Sequence, residues 1–288
     1  MRTSTDHPAQ TQAPLLEADG VSFRYPGTRT EALCGLSLAI HTGLRTAICG
    51  HNGCGKSTFF LQAIGIHRPE AGRLLRRGQP VSYHAKDLRA WRQQVGLVFQ
   101  DPEHQLILNT PYEDITYGLR NIGVAEEEIR RRTGRMLESM GLAPLADTPI
   151  HQLSLGQKKR TALAGVLALE PELLLLDEPT AYLDPASERG LLDELDRVHR
   201  DGVTVVMATH DTNLAYAWAD RVLVMDGGRS LIEGTPHEVF ARKDELRAIG
   251  IEPPLLLGLW EALPASVRDS RTPPRTAAEL QRILSALS

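Results

Sequence analysis

A chain of 288 residues, 42% hydrophobic and 24% charged, has room for one large globular domain with an appendage or for two modest domains. Its formal net charge of −4 gives no overall pull toward nucleic acid, and three cysteines at irregular spacing exclude a disulfide framework and a four-ligand zinc site, which points to a reducing cytosol. No run approaches the roughly 18 apolar residues of a membrane span, so any service to a membrane is expected from its surface.

Residues 1–14 are polar, carry two prolines and lack the apolar core of a secretion signal, and are expected as a flexible tail. Alternation at Val21, Phe23 and Tyr25, closed by Pro26-Gly27, predicts a strand over 16–25, and 33–40 predicts a second. Tyr25 reads either as a half-buried strand aromatic or as a platform for adenine; its place upstream of the next motif favours the platform.

That motif is Gly50-His51-Asn52-Gly53-Cys54-Gly55-Lys56-Ser57-Thr58, set between a short apolar run at 44–49 and Phe59, Phe60, Ala63 and Ile64 at helical spacing. Gly, four residues, then Gly-Lys-Ser is the spacing of a phosphate-binding P-loop. Glycines let the backbone close around an anion with its N–H groups inward, and a helix starting near Lys56 aims its positive end at the same place. The whole loop from Gly50 to Thr58, Asn52, Gly53, Cys54 and Gly55 included, is therefore the expected nucleotide contact. Lys56 is expected to reach the β- and γ-phosphates and Ser57 to ligate Mg²⁺. A thiol at a helix N-terminus predicts a depressed pKa for Cys54 and protection of it by ATP.

After a turn at 68–72, residues 95–99 read as a buried strand with Gln100 at its end. Gln100 is either a solvated turn residue or a contact to Mg²⁺ and the attacking water. From about 101 to 153 the pattern is helical and charged, with Glu126-Glu127-Glu128 and Arg130-Arg131-Arg132 on solvated faces, and a helical subdomain is expected. Ser154-Leu155-Gly156-Gln157 then opens an apolar-periodic helix. A Ser at this place is first an N-cap, and an N-cap beside a Gly is also a phosphate-binding terminus.

The run Leu173-Leu174-Leu175-Leu176 ends in Asp177-Glu178, the pattern of a parallel strand buried on both faces, at whose carboxyl end ligand groups gather. Asp177 is expected to hold Mg²⁺ and Glu178 to polarise the water that attacks the γ-phosphate. Residues 203–208 repeat the pattern one helix-length later (187–200), which predicts His210 beside Glu178, sensing the γ-phosphate. Residues 221–239 read as strand, Asp226-Gly227-Gly228 turn, strand and helix. Beyond about 242, Pro253-Pro254 and Pro273-Pro274 punctuate amphipathic segments at 255–263 and 277–287, either an interaction element or a tail packed on its own domain.

These elements, with Ala181-Tyr182-Leu183-Asp184 after the acidic strand, resemble the ATP-binding-cassette ATPases in that family's order, and Ser-x-Gly-Gln separates that family from other P-loop proteins. The resemblance covers about 15–240. It implies an α/β fold with a mostly parallel core sheet, an N-terminal antiparallel β subdomain and a helical subdomain at about 101–165; a small C-terminal helical extension at 241–288, a candidate dimerisation element, is expected to follow it. The resemblance also implies that two copies sandwich two ATP with Mg²⁺. Each ATP would be held by the P-loop, Tyr25, Gln100, Asp177, Glu178 and His210 of one chain and by Ser154 and Gly156, with Gln157, of the other, Asp184 lying at the seam. Lys56, Gln100, Glu178 and His210 are the catalytic residues so implied.

A narrower resemblance, in Phe99-Gln100-Asp101-Pro102-Glu103-His104-Gln105-Leu106, in Gln157-Lys158-Lys159-Arg160 and in the tail, is to the ATPase subunit of energy-coupling-factor importers of cobalt or nickel. It implies a second ATPase subunit, a transmembrane coupling subunit and a substrate-binding membrane subunit as partners, no nucleic acid, and a place on the cytoplasmic face of the cell membrane. A basic helix of the coupling subunit is expected at Asp101 and Glu103. Cassette ATPases of repair and translation carry two cassettes or a long coiled-coil insertion, and this chain has one P-loop and no such heptads. One departure is Leu155, where the family has Gly: a restricted φ there predicts a slower or partner-dependent ATPase.

Overall fold

The computed structural model describes residues 13–268 and 271–286, so the tail expected over 1–14 lies outside the described residues but for its last two. In chain order come β1 (Leu16–Phe23), β2 (Leu33–Ile40), β3 (Arg45–Cys49), α1 (Lys56–Ala63), β4 (Ala71–Arg76), β5 (Gln79–Pro80), α2 (Ala85–Gln94), β6 (Val95–Val98), α3 (Pro111–Asn121) and α4 (Glu126–Ser139). There follow α5 (Leu155–Leu167), β7 (Leu173–Asp177), α6 (Pro185–Arg200), β8 (Thr204–Thr209), α7 (Thr212–Trp218), β9 (Arg221–Asp226), β10 (Arg229–Gly234), α8 (Pro236–Phe240), α9 (Lys243–Ala248), α10 (Leu255–Glu261), α11 (Ala265–Arg268) and α12 (Ala277–Ser285).

The leucine run of β7 explains the layering. Leu173 and Leu175 pack on one side of a six-stranded sheet with Phe59 and Phe60 of α1 and the residues of β1 and β2. Leu174 and Leu176 pack on the other side with Leu163 of α5, Leu195 of α6 and Ile115 of α3. Successive strand side chains point to opposite faces, so only a strand covered on both faces is apolar at every position. The sheet order is β10-β9-β3-β8-β7-β6, with β6, β7, β8, β3 and β9 parallel and β10 antiparallel at one edge. A second, antiparallel sheet, β2-β1-β4-β5, covers one face. This is the expected α/β cassette: a mostly parallel core, an N-terminal antiparallel sheet and helices α3 to α5 on the far side.

Parallel strands end on one edge, and their register decides what meets there. Cys49 is level with Thr209, Asp177 with Ala208, and Val98 with Leu176. The residues just after these, the P-loop, Glu178, His210 and Gln100, are thereby gathered along one rim. Among the described residues no helix is long and apolar enough to cross a membrane.

Candidate active site

The P-loop keeps its glycines for two separate reasons. Gly53 and Gly55 have φ of 82° and 109°, in the left-handed region that side chains disfavour. Gly50 has ordinary φ, but a Cβ there would lie 2.3 Å from the Met225 carbonyl oxygen and 2.5 Å from Cys54 Sγ. At Gly55 a Cβ would also meet the Ala32 carbonyl oxygen at 2.7 Å. The loop leads into α1, whose first residues Lys56, Ser57 and Thr58 line a cleft of about 330 Å³ together with Tyr25, Asn52, Gly53, Gly55, Gln100, Asp177 and Glu178. Larger cavities exist; one of about 550 Å³ between α4 and α6 holds none of the predicted site residues.

Charges converge in this cleft. Lys56 is buried, and its Nζ donates to the carbonyl oxygens of Gly50 (2.6 Å) and His51 (3.1 Å) and stands 3.8 Å from Glu178 Oε1. Glu178 is buried with φ of 45°; its Oε2 accepts from His210 Nδ1 at 2.9 Å, while Oε1 is buried without a hydrogen-bond partner. An unpaired buried carboxylate oxygen is costly unless it meets a donor, and a water in the cleft would supply one. Burial pushes the Asp177 carboxyl above its ordinary value, against the opposing pull of the Ser57 hydroxyl and the Lys56 charge. A desolvated carboxylate beside a hydroxyl and the Gln100 side-chain amide forms an oxygen donor set suited to a hard cation, so the residues present fit Mg²⁺.

Tyr25 is partly buried; it packs edge-on to Phe23 with ring centroids 5.1 Å apart and shares a 3.2 Å hydrogen bond between its Oη and Thr58 Oγ1. One expectation meets correction here. Cys54 is buried and burial raises its thiol pKa, outweighing Lys56 and the helix-end amides, so the depressed value read from the motif is not found. Leu155 takes the first position of α5 without positive φ, a backbone conformation that a leucine adopts freely. The acidic groove is also partly spent: Asp101 caps a short 3₁₀ turn by accepting from the Glu103 amide, and Glu103 pairs with Lys158 at 2.5 Å.

None of Ser154, Gly156, Gln157 and Asp184 lines the P-loop cleft. Ser154 and Gln157 close a capping box, Ser154 Oγ accepting from the Gln157 amide (3.3 Å) and Gln157 Oε1 from the Ser154 amide (2.8 Å). This leaves the Ser154 O–H proton free for an anion. Asp184 caps α6, Oδ1 accepting from the amides of Ala186 (2.9 Å) and Ser187 (3.0 Å) and Oδ2 from Ser187 Oγ, which holds its carboxyl below the usual range. A Cβ at Gly156 would lie 3.1 Å from Ser187 Oγ, so the two caps sit against each other.

One buried group escaped the sequence reading: Lys159, a lysine within a basic run, 3% exposed. Its spacing of three and four from buried Ala162 and Leu163 on the same helix was the available signal.

The sequence profile of the ABC transporter family matches residues 33–181. The chain is 41% identical over 94% of its length, and 68% of the relative's, to a protein of Methanospirillum hungatei named "Energy-coupling factor transporter ATP-binding protein EcfA2". It is 44% identical over 85% of its length, and 88% of the relative's, to "Cobalt import ATP-binding protein CbiO" of Rhodobacter capsulatus. Among solved structures, cbiO1 of Clostridium perfringens, described as part of the ABC transporter complex cbiONQ, superposes with a TM-score of 0.74 at 40% identity, over 87% of this chain and all of that one. With a P-loop cleft of this construction and relatives matched over most of their length, the chain belongs to the ABC transporter family, as one of its ATPases.

Proposed function

We propose that the chain is the ATP-hydrolysing subunit of an energy-coupling-factor importer, that two copies close around two Mg-ATP, and that the cargo is a transition metal, cobalt first and nickel next. The observation that carries this reading is the convergence of Lys56, Ser57, Asp177 and Glu178 on one cleft with His210 bonded to Glu178, while Ser154 and Gly156 lie outside it. The likeness to relatives named for cobalt import and for energy-coupling factors supports the cargo and the class.

In this mechanism the P-loop amides and Lys56 take the phosphates, Lys56 exchanging its loop carbonyls for phosphate oxygens. Tyr25 receives adenine. Ser57, Asp177 and Gln100 would hold Mg²⁺, which would supply charge neutralisation to the phosphates. Glu178 Oε1 accepts from the attacking water, and His210 fixes the other carboxylate oxygen so that Oε1 keeps its aim. Ser154, Gly156 and Gln157 close on the γ-phosphate from the second copy, with Asp184 at the seam. The segment 15–240 is the ATPase domain and 241–288 a dimerisation element, a role supported by Leu255 and Leu259, exposed one turn apart on α10. The transmembrane coupling and substrate-binding subunits choose the cargo, and the chain works from the cytoplasmic face of the membrane.

The test is uptake of radiolabelled cobalt by cells that co-express the chain with its membrane subunits, wild type against Glu178→Gln. Uptake that vanishes in the variant is the expected result. Absence of uptake in the wild type, with normal ATPase activity and assembly, discards cobalt and sends the search to nickel and then to vitamins.

A further inference from the structure

Glu178, in the cleft, and Tyr182, four residues further on, hold backbone conformations that side chains disfavour, at φ 45° and φ 63°. Such conformations persist only where the surroundings impose them. The surroundings that impose them come from another element. Lys159 lies on α5, five residues after the Ser154 cap, and its Nζ donates to the carbonyl oxygens of Pro179 (2.8 Å), Ala181 (2.9 Å) and Glu178 (3.3 Å). Three carbonyls take all three ammonium protons, and they span the stretch between the two strained residues.

We propose that Lys159 is a positioning residue that locks the Glu178–Tyr182 turn to the helix headed by Ser154, and thereby couples the two ATP sites of the closed pair. The inference rests on the two-copy arrangement proposed above, in which Ser154 and Gly156 of one chain meet the ATP held by the other. Within one chain Lys159 then joins the helix end that reads the second copy's γ-phosphate to the backbone of the carboxylate that acts on its own. Engagement of the helix end at one site sets the aim of Glu178 at the other through one side chain.

The tie is also a buried charge. Desolvation lowers the Lys159 ammonium to about 8, against the upward pull of Glu178 and Asp101, the two carboxylates that face it. Raising the pH through that value removes one of three donors and slackens the turn.

The experiment compares wild type, Lys159→Met and Lys159→Arg for ATP affinity, for turnover against ATP concentration, and for turnover against pH. ATP-driven dimerisation is followed separately in the Glu178→Gln background. Lys159→Met is expected to bind ATP like wild type, which also shows that it folds, while its kcat falls by about 10²-fold, the usual cost of a small misplacement at a reacting centre. Its Hill coefficient falls from near the limit of about 2 set by two sites to about 1. Lys159→Arg, which stays charged, recovers most of kcat and keeps its rate above pH 8, where wild type declines. A Lys159→Met enzyme with wild-type kcat and Hill coefficient overturns the proposal. If Glu178→Gln does not dimerise with ATP, the two-copy reading falls and the coupling with it; a dimer that forms while the Met variant keeps its cooperativity overturns the coupling alone.

Discussion

The P-loop cleft and the Ser154 helix end differ in how much of their surroundings one chain supplies. At the cleft, Lys56, Asp177 and Glu178 are all buried, Asp177 meets the Ser57 hydroxyl and Glu178 meets His210 on different elements, and Glu178 Oε1 is a buried oxygen left without a hydrogen-bond partner. At the helix end, Ser154 and Asp184 are exposed, and among the described residues their side chains serve as caps for their own helices. The first region is organised before ATP arrives. The second is held in shape by local caps and waits for a surface that comes from elsewhere. In the two-copy arrangement proposed above, a site divided in this way would make hydrolysis conditional on closure, because binding would need only the organised half.

The sharpest way to test the division is to damage each half separately. Glu178→Gln is expected to lower turnover by about 10² to 10⁴ while ATP binding stays intact, because a positioned general base contributes that much. Comparable turnover in variant and wild type would sink the assignment. Gly156→Asp places a side chain where even a Cβ meets Ser187 Oγ at 3.1 Å and brings a negative charge toward the phosphate. We expect unchanged ATP binding by the single chain and a turnover loss of about 10². Mixing the two inactive chains should restore part of the activity, since a pair of Gly156→Asp and Glu178→Gln chains contains one site with both halves intact, while the Glu178 of that site belongs to the chain with the damaged helix end and loses the aim that coupling through Lys159 gives. Mixtures as inactive as their components, despite exchange of subunits, would show that each chain hydrolyses with its own helix end.

Much of the organised half was legible in sequence because its signals are local. Glycine spacing fixes the P-loop, and an apolar run ending in Asp177-Glu178 declares a doubly covered strand with its ligands at the end. The placement of His210 beside Glu178 followed from two such strands and one intervening helix, and the 2.9 Å bond bears out that neighbourhood. What stayed hidden depends on partners distant in the chain. Helix α2 is largely polar, with Trp91 its one buried residue, whose Nε1 donates to the Ala63 carbonyl at 2.7 Å, so its sequence offered a single apolar anchor to read. Lys159 sits in a basic run that reads as a solvated face, and only the carbonyls of Glu178, Pro179 and Ala181 make it a buried tie. Cys54 was misread for the same reason: the motif shows the helix end, while the burial that raises its thiol comes from the packed antiparallel sheet.

Thiol chemistry offers a smaller effect on the organised side. Cys34 is partly exposed, whereas Cys49 and Cys54 are buried, and burial pushes the Cys49 thiol up to about 12. Alkylation at neutral pH is therefore expected to label Cys34 first, with Cys49 and Cys54 reacting only as the fold opens. ATP should change the order of labelling little. Rapid labelling of Cys54 that ATP suppresses would restore the reactive-loop reading.

The smallest effect belongs to Leu155, on the waiting half. A Gly there is unnecessary for the backbone, because residue 155 begins α5 with an ordinary helical φ, and the helix end already has its capping box from Ser154 and Gln157. Leu155→Gly then removes a half-buried side chain and raises local backbone entropy, a change of at most about 1 kcal/mol at a helix position. Basal turnover and ATP affinity should each move by less than about fivefold, the span that such an energy allows. A larger gain in basal rate, measured without membrane subunits, would mean that the leucine side chain itself holds the second copy away from the phosphate. In that case the waiting half would be braked by its own side chain as well as incomplete.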